Sequence, residues 1–168
     1  METMIALGML LVVATGVMGL ATVAVSTTET QGHLAARTAE YSQDKMEQLL
    51  ALHFCDGQTD TTQFPAASTG GTGLAGCTNL TAATPTATAG GSLSTTAPTA
   101  LYVDYLDGSG SRVAPTATWE YIRVWQITVP AGSVGMKQIT VLTKANRASG
   151  GGLTVPQSTV VALKTYPF

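Results

Sequence analysis

Few side chains in this 168-residue sequence are of types that do chemistry. Two cysteines (Cys55 and Cys77), two histidines (His33 and His53) and ten acidic residues are the whole supply of acids, metal ligands and thiols. None falls into a catalytic pattern. There is no G-x-S-x-G elbow, no phosphate-cradling loop, no C-x-x-C pair and no H-E-x-x-H helix. His33 and His53 have no companion at ligand spacing, so no metal role is assigned to either. Asp104 and Asp107, followed by Gly108-Ser109-Gly110, offer oxygens that calcium could use. The full calcium-loop pattern with its distal glutamate is missing, however, and a solvated turn is the preferred reading. The cysteines fit a single disulfide in an oxidising compartment, and closing a loop of about twenty residues is worth roughly 3 kcal/mol by chain entropy. The last candidate is Glu2. A carboxylate at the start of a long apolar run is expensive to bury and by default implies a partner. Neither an enzymatic activity nor a cofactor is expected.

The element that must position Glu2 is the first fifty-odd residues. From Thr3 to Thr28 no residue is charged, and no proline occurs before Pro65. The chain reads as one helix to about His53, roughly 80 Å long at about 1.5 Å per residue. Its first part, residues 1–28, is apolar all round and long enough to cross a bilayer. Its second part, residues 29–53, is amphipathic: Ala35, Ala39, Ser42, Met46, Leu49 and Leu50 form one face at helical spacing. Arg37 is placed to reach Glu40 and Tyr41. A helix of this length cannot be buried inside one small domain, so the apolar part needs partners outside the chain.

The string Glu2-Thr3-Met4-Ile5-Ala6-Leu7, leading into the long two-part helix, resembles the start of type IV pilins and type II secretion pseudopilins. The later VWQITVP and KQITVLTK resemble strands of the minor-pilin and pseudopilin group. The resemblance implies that the apolar helix anchors the monomer in a membrane and then forms the core of a helical filament of identical subunits. It also implies that Glu2 neutralises the N-terminal amine of a neighbour, with Met1 at that junction. The alternative is that the helix dipole alone satisfies Glu2. In the family the glutamate is usually the fifth residue of the mature chain, after a short basic leader ending in glycine. Here it is the second, so the mature chain is expected to begin a few residues earlier, or processing to be unusual. No cleavable secretory signal pattern is seen. Gly16 and Gly19, among β-branched neighbours, are the weakest helical patch. By the resemblance this patch could melt on assembly; equally, its glycines could serve close helix packing.

Residues 54–168 read as one head. The stretch from Cys55 to Ala100 is rich in Thr, Gly, Ala and Ser, with little regular structure expected. It reads as a plain low-charge loop or as a carrier of O-linked glycan. Asn79-Leu80-Thr81 also matches a short, common glycosylation sequon. Strands follow: LYVDYL with Leu101, Val103 and Tyr105 on one face, a turn at Asp107-Gly108-Ser109-Gly110, and a long run from Trp119 to Val129. In that run Trp119, Tyr121, Arg123, Trp125 and Ile127 alternate with Glu120, Ile122, Val124, Gln126 and Thr128. Both faces carry apolar residues, so one is expected to meet the helix and the other a neighbour. KQITVLTKA, a turn at ASGGGLTVPQ and STVVALKTY complete an antiparallel sheet of about four strands laid on the helix. The expected class is α+β, a pilin-like ladle.

Charged residues are only 11% of the chain and the net charge is -2, so no basic face for nucleic acid is implied. The expected function is a structural filament subunit, exported to the cell surface from an inner-membrane pool by an assembly machinery. The same residues fit a major pilin, a minor pilin or a secretion pseudopilin. A rival of another class is a monomeric, signal-anchored surface module whose head binds a ligand.

Overall fold

The computed structural model describes residues 2–146 and 155–167, without the side chains of residues 2–6, 27 and 30. One helix, α1 (Glu2–Ala51), is followed by three two-residue strands, β1 (Cys77–Thr78), β2 (Thr86–Ala87) and β3 (Gly90–Gly91). Next come β4 (Val103–Leu106), β5 (Arg112–Val113), β6 (Tyr121–Thr128), β7 (Met136–Ala145) and β8 (Gln157–Thr165). The class is α+β, with the long helix packed on a C-terminal antiparallel sheet. The expected start of the sheet at Ala100 is too late, because β3 already pairs with β6 and β1 with β2. The turn expected at ASGGGLTVPQ falls largely outside the described residues.

The strand order is β5-β4-β6-β7-β8, and β3 and β4 share one side of β6, end to end. Glycine is required where β3 meets β6. A Cβ on Gly91 would run into the Trp125 carbonyl and the Tyr102 ring, and Gly91 sits at φ +79°. The turn from Asp107 to Ser111 closes the β4–β5 hairpin through Asp107 N–H to the Ser111 carbonyl at 2.9 Å. Gly110 in that turn, at φ +85°, lies so close that a Cβ would stand 2.8 Å from the Tyr41 ring. The tip of the hairpin is therefore fitted to the helix.

The helix lies chiefly over β7 and β8. Ladder register sets which residues face it: Ile139, Val141 and Thr143 of β7 stand beside Trp125, Ile127 and Arg123 of β6. Trp125, Ile127, Ile139 and Val141 are fully buried with Met46 and Leu49 of the helix, Leu74 and Tyr102. Each such apolar side chain contributes about 1.5–3 kcal/mol by leaving water. A second cluster joins Tyr41 to Leu106, Tyr121 and Ala145, with the Tyr41 and Tyr121 rings edge-on at 5.1 Å. Ile122 and Val124, on the opposite face of β6, are also buried, and by this chain itself, so that face is covered without the neighbour expected for it.

The expected helix face is borne out at Ser42, Met46 and Leu49 and fails at Ala35, Ala39 and Leu50. On α1 the docked residues are Thr38, Tyr41, Ser42, Lys45, Met46 and Leu49, whereas Ala35 and Leu50 are exposed and Ala39 is half-buried. Small hydroxyl residues let the helix approach the sheet closely: Ser42 donates to Thr143 Oγ1 at 2.8 Å. On β4 the buried set is Asp104 and Leu106, preceded by Tyr102, and Val103 and Tyr105 are only half-buried. Lys45 and Asp104 face inward because they pair with each other in a buried ion cluster.

Candidate functional site

Residues 7–26 of α1 are exposed along their whole length. Leu7, Leu10, Met18 and Leu20 are each at least 70% exposed. An 18-residue window has mean hydropathy 2.2 and none of it is buried. Its hydroxyls are spent inside the helix: Thr15 donates to the Leu11 carbonyl at 3.0 Å, Thr22 to Met18 at 2.8 Å and Thr28 to Ala24 at 2.9 Å. A helix with every polar group satisfied internally and an apolar exterior is suited to lipid or to packed apolar neighbours, not to water. The feature is consistent with membrane anchoring or a signal sequence. Gly16 and Gly19 are helical here, and a Cβ at either would meet open space. No contact within the chain requires them to be glycine, so any packing reason lies outside it. Glu2 is the first residue of α1; its side chain, and Met1 entirely, lie outside the described residues.

The helix enters the head through a buried ion cluster. Asp104 receives Lys45 Nζ at 2.7 Å and both Nε and Nη2 of Arg123, at 2.8 and 2.9 Å. Arg123 Nη1 also reaches the Tyr41 carbonyl and Asp44, each at 3.0 Å. Lys45 donates to the Thr61 carbonyl at 2.6 Å and lies 4.3 Å from the Trp125 ring centre. The side chains of Lys45 and Asp104 have no exposure, and Arg123 has almost none. Burial pushes the Lys45 ammonium down to about 8, against the pull of Asp104. For Asp104 burial acts upward, but Lys45 and Arg123 outweigh it and hold the carboxylate below its usual range. This pairing disposes of the calcium alternative, because both Asp104 oxygens are already taken by cations. Among the described residues no group of three or more His, Cys, Asp or Glu side chains is placed to hold a metal, and His33 and His53 are exposed.

One lysine from the sheet holds the helix's C-terminal end and another holds the loop that follows it. Lys164 of β8 donates to the carbonyls of Leu50 and Leu52. Lys137 of β7, fully buried, donates to Phe54 at 2.8 Å, Leu74 at 2.6 Å and Gly76 at 2.5 Å. Carbonyls at a helix end lack intrahelical donors and carry the negative end of the dipole, so cations fit there. No basic residue of the last helical turn does this work. Cys55 and Cys77 are bonded, with Cα atoms 4.9 Å apart, so the disulfide closes the same loop that Lys137 grips.

Sequence reasoning identified the stem and the disulfide but passed over Lys45, Arg123 and Lys137. One signal was present. Arg123 sits in the middle of an alternating aromatic and aliphatic face, and a cation in that position requires a buried acid. Comparison with protein-family models, with curated proteins and with solved structures finds no match to the chain.

Proposed function

We propose that this chain is a structural subunit of a type IV pilus-like extracellular filament, with no catalytic role. The observation that carries the reading is a single 50-residue helix whose first part is apolar and wholly exposed while its second part is built into a folded head. An apolar helix packed on an antiparallel sheet in this way is pilin-like architecture. Leu, Met and Val side chains along the stem would each gain about 1.5–3 kcal/mol on leaving water. A membrane supplies that first, and the stems of identical neighbours supply it afterwards. Repetition of one non-closing contact between copies then gives a filament instead of a ring. In this proposal Glu2 sets subunit register by pairing with the N-terminal amine next door, an assembly machinery moves subunits from the inner membrane, and the head becomes the outer surface. Minor pilin and secretion pseudopilin are narrower versions of the same proposal. A monomeric anchored module fits less well, because the helix passes from stem to head without interruption.

The test compares Glu2→Ala and Glu2→Gln with the parent chain in cells that make the filament. Removing one member of a buried ion pair costs about 3–5 kcal/mol because the other is stranded. Filaments in sheared, negatively stained fractions should drop sharply while membrane-bound monomer accumulates, with Gln only partly restoring them. Full filament yield from both variants at equal monomer level would remove Glu2 from assembly. Absence of this chain from any sheared filament would end the proposal itself.

A further inference from the structure

A depression of about 590 Å³ lies beside the ion cluster, between the helix, the loop at Gln63 and Phe64, and the tip of the β4–β5 hairpin. Arg112 stands in its wall with its donors unspent. Its Nε is buried without a hydrogen-bond partner. The nearest carboxylate oxygen, Asp104 Oδ2, is 3.6 Å away and already holds Lys45 and Arg123. Among the described residues the Arg112 guanidinium makes no hydrogen bond, although its side chain is only 26% exposed. Its Nη groups are not among the buried atoms and have no hydrogen-bond partner among the described residues, so a planar carboxylate can take both in the forked geometry that arginine prefers.

The rest of the wall limits what else such a ligand can be. Lys45, Arg112 and Arg123 are opposed by Asp44 and Asp104, with Asp60 near enough to act on Arg112, so the local charge is close to balanced. A phosphate dianion would add its second charge beside Asp44, which lines the same depression. A single carboxylate would not. Gln63 donates its amide nitrogen to Asp60 at 2.9 Å and keeps its carbonyl oxygen free among the described residues. Ser111 adds a hydroxyl. Phe64 at the rim is 76% exposed, an aromatic face with nothing packed on it. An apolar platform, neutral hydrogen-bonding groups and one forked cation are together the groups needed to hold a sugar ring that carries a carboxylate.

We infer that this depression is a binding site for an acidic sugar, a hexuronate or sialate unit, with its carboxylate on Arg112 and its ring against Phe64. The site requires neither the stem nor assembly, so it stands or falls separately from the filament proposal.

The test is a residue-resolved NMR titration of the full chain in detergent micelles with glucuronate, galacturonate and N-acetylneuraminate, using glucose and inorganic phosphate as comparisons. At least one acidic sugar should shift the Gln63, Phe64, Ser111 and Arg112 resonances saturably, and glucose should not. Arg112→Gln should weaken that binding about tenfold or more, the value of a lost charged hydrogen-bond pair. Phe64→Ala, at an exposed site, should weaken it several-fold while the spectrum elsewhere stays unchanged. If no acidic sugar produces a shift, or if glucose or phosphate binds as well, the site is not the one inferred. Unchanged affinity in both variants would likewise overturn it.

Discussion

Replacing Asp104 by asparagine tests whether the buried ion cluster holds stem and head in one rigid unit. The substitution is nearly isosteric, so packing is preserved and only the charge is removed. Lys45 and Arg123 are then left as two cations with almost no solvent, at the 2.7–2.9 Å distances now occupied by the carboxylate. Arg123 retains Asp44 and the Tyr41 carbonyl, and Lys45 retains the Thr61 carbonyl, so the loss is large but incomplete. Breaking a buried pair in this way costs about 3–5 kcal/mol. With a urea slope of about 2 kcal/mol per molar for a domain of this size, the unfolding midpoint should fall by about 2 M. Trp125, beneath Lys45, makes its own fluorescence a local reporter for the full chain in mild detergent. Replacing the trio together, as Lys45→Met, Asp104→Leu and Arg123→Met, should recover most of the loss, since a buried pair exchanged for apolar groups of similar size is often neutral. A midpoint shift below about 0.5 M for Asp104→Asn, or a triple variant less stable than the single one, would falsify the claim that the cluster's pairing is what stabilises the junction.

Other expectations follow from the same geometry. The Asp104 carboxylate titrates lower in the folded chain than its ordinary 3.8, so between the two values the unfolded chain binds more protons and stability rises with pH. Its contribution should be complete above pH 3.8 and be lost as pH falls through the folded value; urea midpoints measured from pH 5 down to pH 2 should show a drop that Asp104→Asn lacks. Lys137→Met strands the carbonyls of Phe54 and Leu74, which have no other donor among the described residues, and should cost about 2–4 kcal/mol. Amide exchange should then accelerate first in residues 54–76, and uniform acceleration across the sheet would contradict the assigned role. Removing residues 1–28 should leave a soluble, monomeric head with an unchanged sheet. Aggregation of that fragment in gel filtration would mean that the stem is part of the head's core.

The stem was legible as an exposed apolar helix because no charge or proline interrupts Thr3 to Thr28. The disulfide was equally plain, since Cys55 and Cys77 had no other thiol to choose. The docked helix face was legible only in part: Ser42, Met46 and Leu49 dock as expected, but hydropathy puts Leu50 inside and gives no reason to bury Lys45. In the fold Lys45 has Asp104, the Thr61 carbonyl and the Trp125 ring waiting for it, and these come from three segments distant in sequence. Which side of β4 is buried could not be read from its alternation alone: Asp104 counts as a surface residue until the cations around it are known. Similarly, the Gly90-Gly91 pair looked like loop punctuation, and its pairing with Ile127 and Gln126 depends on the close approach of Tyr102. Local pattern thus gave the elements, whereas the polar contacts between elements decided which side each one turned.

The uninterrupted helix is also a lever. From Glu2 to the first half-buried residues near Gln31 it projects roughly 45 Å at about 1.5 Å per residue. A tilt of about 10° where the helix seats on the sheet would move the far tip by about 8 Å over that length, more than the width of a side chain. Small errors at the seat are therefore magnified at the tip. The ion cluster under the helix and Lys164 at its end act as the bearings of this arm, fixing the direction in which it points. The stiffness of the seat therefore decides where the far end of the helix is carried.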